Sequence, residues 1–393
     1  ALARPGNDTA VPDLRRLALE HSSVAVREAA IGGLARIGTE RSQEAMVELI
    51  GGLLERAANR DSVSALVASG ALQQAARRES NVLIPFVERY YRDSRLAQNV
   101  RWSLLMTLRM AGTAEARTVL WRVAQDRDMP VRQRSEVLQW LAPSFTAEDV
   151  TRVGTMLRSE PDVAMREALV RSLSALVGGS PWFGSYISVP GQFGYMDAAD
   201  RTEVLSVAGT EALVTTPAPP VEEAKTLTEA REEVRERQAR REQLASQALQ
   251  ILVEVLRTEQ ETRVQRAIVR AIGAAGYDVG TDALRRFAIS NGAEESVRSE
   301  ALDALGRIGT EEAYEALRSS LASLDTPRLL TAALRALVSS TAYRVRSDAI
   351  PDFVRLTSHV DLSVRRAAVD ALGRLDAPQA RQALLDLIRT SGR

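Results

Sequence analysis

The stretch VRSEALDALGRIG, from Val297 to Gly309, decides the fold. Wound as a helix, it places Val297, Ala301, Leu302, Leu305 and Ile308 at positions 1, 5, 6, 9 and 12, a single apolar stripe on an otherwise polar surface. The pattern returns without gaps as VREAAIGGLARIG from Val26, VQRAIVRAIGAAG from Val264 and VRRAAVDALGRLD from Val364. Looser copies are VRWSLLMTLRMAG from Val100 and MREALVRSLSALV from Met165, and another Val-Arg start lies at Val131. The steps are 31 residues from Val100 to Val131, 34 on to Met165, 33 from Val264 to Val297, and 67, or two units, on to Val364. A period of about 33 residues means a stacked repeat, in which no unit can bury its apolar stripe alone.

A second amphipathic segment precedes each copy, for example SQEAMVELIGGLLERA before Asp61 and TEEAYEALRSSLASL before Asp325. The unit is therefore helix, short turn, helix, turn. Gly38, Gly112, Gly276 and Gly309 fall where the second helix stops, at the position that favours a left-handed backbone. Thr39, Thr113 and Thr310 follow directly and are placed to cap the next helix, with Glu40, Ala114 and Glu311 in its first turn.

The composition agrees. Hydrophobic residues make up 45% of the 393 and aromatics 4%, so the apolar content is aliphatic and small, as closely packed helices require. Charge balances at 51 basic against 51 acidic residues, which argues against a chain-wide surface for nucleic acid or acidic membrane. Lys225 is the one lysine, a bias that a GC-rich genome explains as well as chemistry does. Cysteine is absent, which excludes disulfides, thiolate metal sites and a cysteine nucleophile. No apolar run reaches the roughly 18 to 20 residues of a membrane-spanning helix. The start at Ala1-Leu2-Ala3, with no methionine, and the lack of cysteine tilt the expected location slightly toward export or the periplasm rather than the cytoplasm.

On these motifs the chain resembles HEAT repeats, in the shorter bacterial form often labelled phycobilin-lyase-like, over roughly residues 11 to 180 and 244 to 393. The resemblance implies an all-α fold, a right-handed α-solenoid of about nine to ten helix pairs with one large insertion. It also implies that the second helix of each pair lines a concave surface. Arg27, Arg101, Arg132, Arg166, Arg298 and Arg365, each next to the leading apolar residue, resemble the family's arginine ladder, which pairs with acidic residues of neighbouring turns. The expected organisation is an N-terminal array over 1–180, an aromatic-rich insertion over 181–220, a charged helical extension over 221–243 and a C-terminal array over 244–393.

The insertion is the largest departure from the period, because Met165 to Val264 is 99 residues where one unit of about 33 is expected. Trp182, Phe183, Tyr186, Phe193 and Tyr195 crowd five aromatics into 14 residues around the Pro190-Gly191 turn signal. Beyond the PAPP break, Val221 to Arg257 reads as one long helix whose first half is charged on every face. A second departure lies at positions 3, 7 and 11 of the copy at Val100, where Trp102, Met106 and Met110 replace the polar, charged or small residues of most other copies. Spaced by four, they share one helix face. Either the insertion or a partner covers them, or a shifted register buries them as core.

Catalytic signatures are missing. His21 and His359 are the only histidines, and they lie in the first and last full repeats, so a histidine-rich metal site or dyad is excluded. HEAT-repeat di-iron hydroxylases carry several His-Glu pairs, and here neither histidine is followed by Glu. There is no phosphate-binding G-x-x-x-x-G-K loop and no G-x-S-x-G elbow. The expectation is therefore a protein without catalytic, cofactor-binding or metal-binding residues, a scaffold or assembly subunit. Its partner is another protein or protein complex, docked through Trp102, Met106, Met110, Trp182, Phe183, Tyr186, Phe193 and Tyr195. Self-association is left open. Nucleic-acid binding is the weaker alternative, since the second helices mix Glu and Asp with Arg. A lyase or chaperone of the phycobilin-lyase-like group is the third.

Overall fold

The structure is a computed structural model that describes residues 4–76, 80–177, 221–340 and 348–391. Every regular element among them is helical. The chain divides into two compact units, Ala1–Ser144 and Phe145–Arg393. The first unit stacks four pairs: α1 (Val11–Glu20) with α2 (Val24–Ile37), α3 (Glu40–Ala58) with α4 (Ser62–Ala76), α5 (Ser80–Tyr90) with α6 (Gln98–Ala111), and α7 (Ala114–Gln125) with α8 (Val131–Leu141). The second unit stacks five: α9 (Ala147–Ser159) with α10 (Val163–Val177), α11 (Val221–Thr258) with α12 (Thr262–Ala275), α13 (Thr281–Ile289) with α14 (Glu295–Ile308), α15 (Glu311–Ser320) with α16 (Pro327–Ser339), and α17 (Ile350–Leu356) with α18 (Leu362–Arg374). A last helix, α19 (Pro378–Ser391), follows.

The punctuation works as the sequence predicts. Gly38, Gly112, Gly276 and Gly309 end α2, α6, α12 and α14 at φ of 68°, 61°, 70° and 68°, values an L side chain adopts at a cost. Thr39, Thr113 and Thr310 each accept a hydrogen bond from the backbone N–H of the third residue in the following helix. The apolar stripe is the core: Val297, Ala301, Leu302, Leu305 and Ile308 are all buried, as are Val264, Ile268, Val269 and Ile272 of α12. The long helix expected from Val221 runs to Thr258, and residues 234–243 within it are exposed on every side, as their charge requires.

The arginine ladder has a different main partner from the one the family resemblance implies. Arg27 is buried, and its guanidinium donates to the Ala18 and Leu19 carbonyls at the end of α1, both at 2.8 Å. Arg298 donates to Ala288 O at 2.9 Å at the end of α13, and Arg365 to His359 O and Val360 O at 2.8 and 2.9 Å. Arg27 and Arg298 thus close the carbonyl end of the first helix in their own pairs, where a cation also meets the negative end of the helix dipole, and Arg365 ties the turn that follows α17. Acidic partners are the minority case: Arg298 also bonds Asp325 at 2.9 Å, and Arg166 bonds Glu259 at 2.7 Å.

In the pair α7/α8 the buried arginine is Arg134, which donates to Ala124 O at 3.0 Å, while Arg132 is exposed beside Glu136. That copy therefore starts at Gln133, not Val131. Its stripe is Gln133, Val137, Leu138 and Leu141, all buried, and the step from Val100 becomes 33, equal to the period of the second unit.

Candidate functional site

In the second unit, α12, α14 and α16 touch in turn at one repeated point. At the α12/α14 and α14/α16 junctions, position 10 of one helix meets position 8 of the next, and both are small. A methyl group added to Gly273 of α12 would stand 2.6 Å from the Ala304 Cβ of α14. One added to Gly306 of α14 would stand 2.8 Å from the Ala336 carbonyl oxygen of α16. Only glycine lets these helices come so close. Outside this seam the exposed edge is ionic: Glu300 of α14, at position 4, receives Arg266 at 2.8 Å and Arg270 at 2.9 Å from positions 3 and 7 of α12.

The same points are filled differently in the first unit. With the copy of α8 counted from Gln133, Trp140 stands at position 8 and faces Arg109 at position 10 of α6. The guanidinium carbon of Arg109 lies 5.5 Å from the Trp140 ring centroid, a cation–π distance. Trp102, at position 3 of α6, meets the same ring with centroids 4.8 Å apart and planes at 51°, a tilted arrangement that aromatic quadrupoles favour. The α6 and α8 backbones do not approach each other as α12 and α14 do. Two indoles and a guanidinium span the wider gap.

Beyond Trp102 the stripe continues outward. Met106 is half-buried, and Met110 is 43% exposed. The register of α6 itself is regular, since Val100, Leu104, Leu105 and Leu108 are buried at positions 1, 5, 6 and 9. The three residues are therefore not core moved out of phase, and the phase shift belongs to the next copy, at Gln133. The result is a graded apolar face: an indole held by a second indole, then a flexible thioether, then another open to solvent. Such side chains adapt to an incoming apolar surface at small conformational cost. Trp182, Phe183, Tyr186, Phe193 and Tyr195 lie outside the described residues.

Trp140 and Arg109 were not singled out as site residues by sequence reasoning. The signal was present in the 33-residue step, which from Val100 lands on Gln133 and sets a tryptophan where other copies hold a small residue, Gly33, Ser172, Ala271, Ala304 or Ala371.

Groups with chemistry have structural explanations. His21 and His359 each accept, through Nδ1, the backbone N–H two residues on at 3.0 Å, and so lock the turn inside the first and the last pair. Hydrogen bonds from Ser64 and Ser363 hold the carboxyls of Asp61 and Asp361 below the usual range, and both carboxylates accept from N–H groups opening α4 and α18. Among the described residues no group of three or more His, Asp or Glu side chains is placed to hold a metal ion, and no helix is long and apolar enough to cross a membrane.

Tandem helix pairs of constant period, stacked through a small-residue seam and tied internally by an arginine, define an all-α repeat protein of the solenoid class. A sequence model of HEAT repeats matches residues 1–52, 249–338 and 332–393, half of the chain, and the protein belongs to the HEAT-repeat family. Among solved structures, the chain is similar to an engineered protein at 18% identity over 96% of this chain and 91% of that one, with a TM-score of 0.32. It is similar to human deoxyhypusine hydroxylase in complex with glycerol at 16% identity over 93% and 96%, TM-score 0.29. Similarity also extends to the karyopherin Kap121p bound to the extreme C-terminus of the protein phosphatase Cdc14p, at 16% identity over 92% of this chain but 41% of that one, TM-score 0.43. No curated protein matches the sequence at a significant level.

Proposed function

We propose that this HEAT-repeat protein is a non-catalytic scaffold that binds another protein, and that the α6/α8 face of its first unit is a docking surface. The observation that carries the reading is the outward run of Trp102, Met106 and Met110 at positions that hold Arg266 and Arg270 in α12 and Asp303 and Arg307 in α14. An apolar stripe kept partly in water is selected against in a helix that has only to fold, and contiguous patches of this kind mark contacts. The aromatics Trp182, Phe183, Tyr186, Phe193 and Tyr195 belong to the same proposal as a second contact region.

The test compares wild type with Met110→Glu and Met106→Glu in affinity capture from native extract, with mass spectrometry of what is retained. Met110 is open to solvent and Met106 half-buried, so the helical signal and melting temperature are checked first and should stay near those of wild type, most closely in Met110→Glu. Loss of a specific protein from both variants supports docking there. Identical captured sets sink it. Retention of nucleic acid, lost steeply as salt rises, would favour the nucleic-acid alternative instead.

A further inference from the structure

The second helices of the second unit carry arginine that their own acids do not cancel. α10, α12, α14 and α16 lie side by side, each packed on the next, so the outward positions 3, 7 and 11 of all four line one face. α12 holds Arg263, Arg266 and Arg270 and no acid, and α16 holds Arg328 and Arg335 and no acid. The first helices do not share the bias: α15 sets Glu311, Glu312 and Glu315 against Arg318. In a chain whose charge balances at 51 against 51, this is charge sorted onto one face.

The acids on that face are already engaged. Glu300 serves both Arg266 and Arg270, at 2.8 and 2.9 Å, and Glu167 takes Arg263 at 3.1 Å. Asp303 is half-buried and meets Arg335 only at 3.9 Å. Arg171 and Arg307 are exposed and have no ion pair among the described residues. Arg171, Arg270 and Arg335 all stand at position 7 of their helices, and Arg307 stands one turn farther along α14, whose position 7 is Asp303. A row of guanidinium groups thus crosses four helices.

The spacing of that row selects its ligand. Packed helices stand about 8 to 10 Å apart. A chain in the polyproline-II conformation returns to the same side every third residue, about 9 Å on, so carboxylates at that interval keep step with the arginines, whose planar forks suit them. A nucleic-acid strand fits less well. It bears a charge at every nucleotide and runs over Glu300 and Asp303 as well as the arginines, and none of the four helices has an aromatic side chain on which a base could stack.

We propose that the face of α10, α12, α14 and α16 binds an extended acidic segment of a partner protein, with Arg171, Arg270, Arg307 and Arg335 receiving its carboxylates. The site lies in the second unit and stands whether or not the α6/α8 face docks a partner.

Fluorescence anisotropy of labelled poly-L-glutamate titrated with the full chain at low salt tests the proposal, with a single-stranded oligonucleotide of equal length run in parallel. Three variants are compared with wild type: Arg171→Gln with Arg307→Gln, Arg15→Gln with Arg16→Gln, which removes the same charge from α1, and Met110→Glu. Arg171 and Arg307 are exposed and make no ion pair, so their loss leaves the fold intact, as an unchanged melting temperature would confirm. The expected result is saturable binding of polyglutamate whose dissociation constant rises about 5- to 30-fold in the first variant and is unchanged in the other two. Absence of binding overturns the proposal, as does equal weakening by the two double variants, which would mean attraction to charge anywhere on the chain. Tighter binding of the oligonucleotide, lost in the first variant, also overturns it and makes the face a nucleic-acid surface.

Discussion

The junction between α6 and α8 and the junction between α12 and α14 occupy the same slot in the repeat, yet they are built from opposite materials. In the second unit glycine and alanine bring the backbones together, and an arginine pair on one glutamate seals the edge. In the first unit Trp140 faces Arg109, Trp102 leans on the same indole, and the edge is methionine. The close seam gains dispersion contact along two helices and leaves a hydrophilic surface. The wide seam keeps its aromatic contacts but exposes part of what it holds. Repeat architecture tolerates both because each repeat answers only to its neighbours, so one junction can be loosened without disturbing the rest.

The sharpest way to break this comparison is to put bulk into the close seam. Gly306→Leu drives a side chain into the Ala336 backbone, and the expected loss is about 3 kcal/mol in denaturant unfolding. If the variant is as stable as wild type, the helices are not held by that contact. Trp140→Ala empties the wide seam, and since the ring is half-buried the loss should be smaller, about 2 kcal/mol. It should also free the Trp102 indole, which the fluorescence maximum would report as a red shift. An unshifted spectrum would mean the two rings are not in contact in solution.

Glu300→Gln tests the ionic edge. Arg266 and Arg270 lose their shared partner at a partly exposed site, and the cost should be about 0.5 to 1 kcal/mol in low salt, shrinking as salt is added. A loss that ignores salt would assign Glu300 a packing role. The smallest effect concerns Asp303, at position 7 of α14, where burial raises the carboxyl above its ordinary value despite Arg335 and Arg307. A folded-state value above the unfolded one means that ionised Asp303 opposes folding at neutral pH, and that its effect vanishes below the ordinary carboxylate value of 3.8. Asp303→Asn should therefore melt slightly higher than wild type at neutral pH and level with it in acid. A variant that melts lower at neutral pH would show that Arg335 dominates.

Much of the fold is legible in the residues because its signals are local. Gly309 must stop α14 whatever surrounds it, Thr310 must accept from the next turn, and Val297, Ala301, Leu302, Leu305 and Ile308 form one stripe on any helix. The ladder arginines were legible as structural, but not their targets. A side chain as long as arginine reaches either an acidic neighbour or a helix-end carbonyl, and sequence spacing does not distinguish the two. The copy at Val131 misled for a related reason: Val131-Arg132 and Gln133-Arg134 offer two starts two residues apart, and only the burial of Arg134 selects the second. The exposure of Trp102, Met106 and Met110 was legible as an anomaly, while their contact with Trp140 was not.

By itself the sequence determined the period, the helix pairs with their caps, the apolar stripe of each helix and the absence of recognisable catalytic motifs. These follow from backbone conformation and from burial periodic along one chain segment. Only the tertiary structure decided that position 10 of α12 and of α14 meets position 8 of the next second helix, that Arg109 at the same place meets Trp140, and that Arg171 and Arg307 have no ion pair among the described residues. Those facts depend on how far apart neighbouring helices stand, and that distance is set jointly by side chains about 33 residues apart, which no local pattern records.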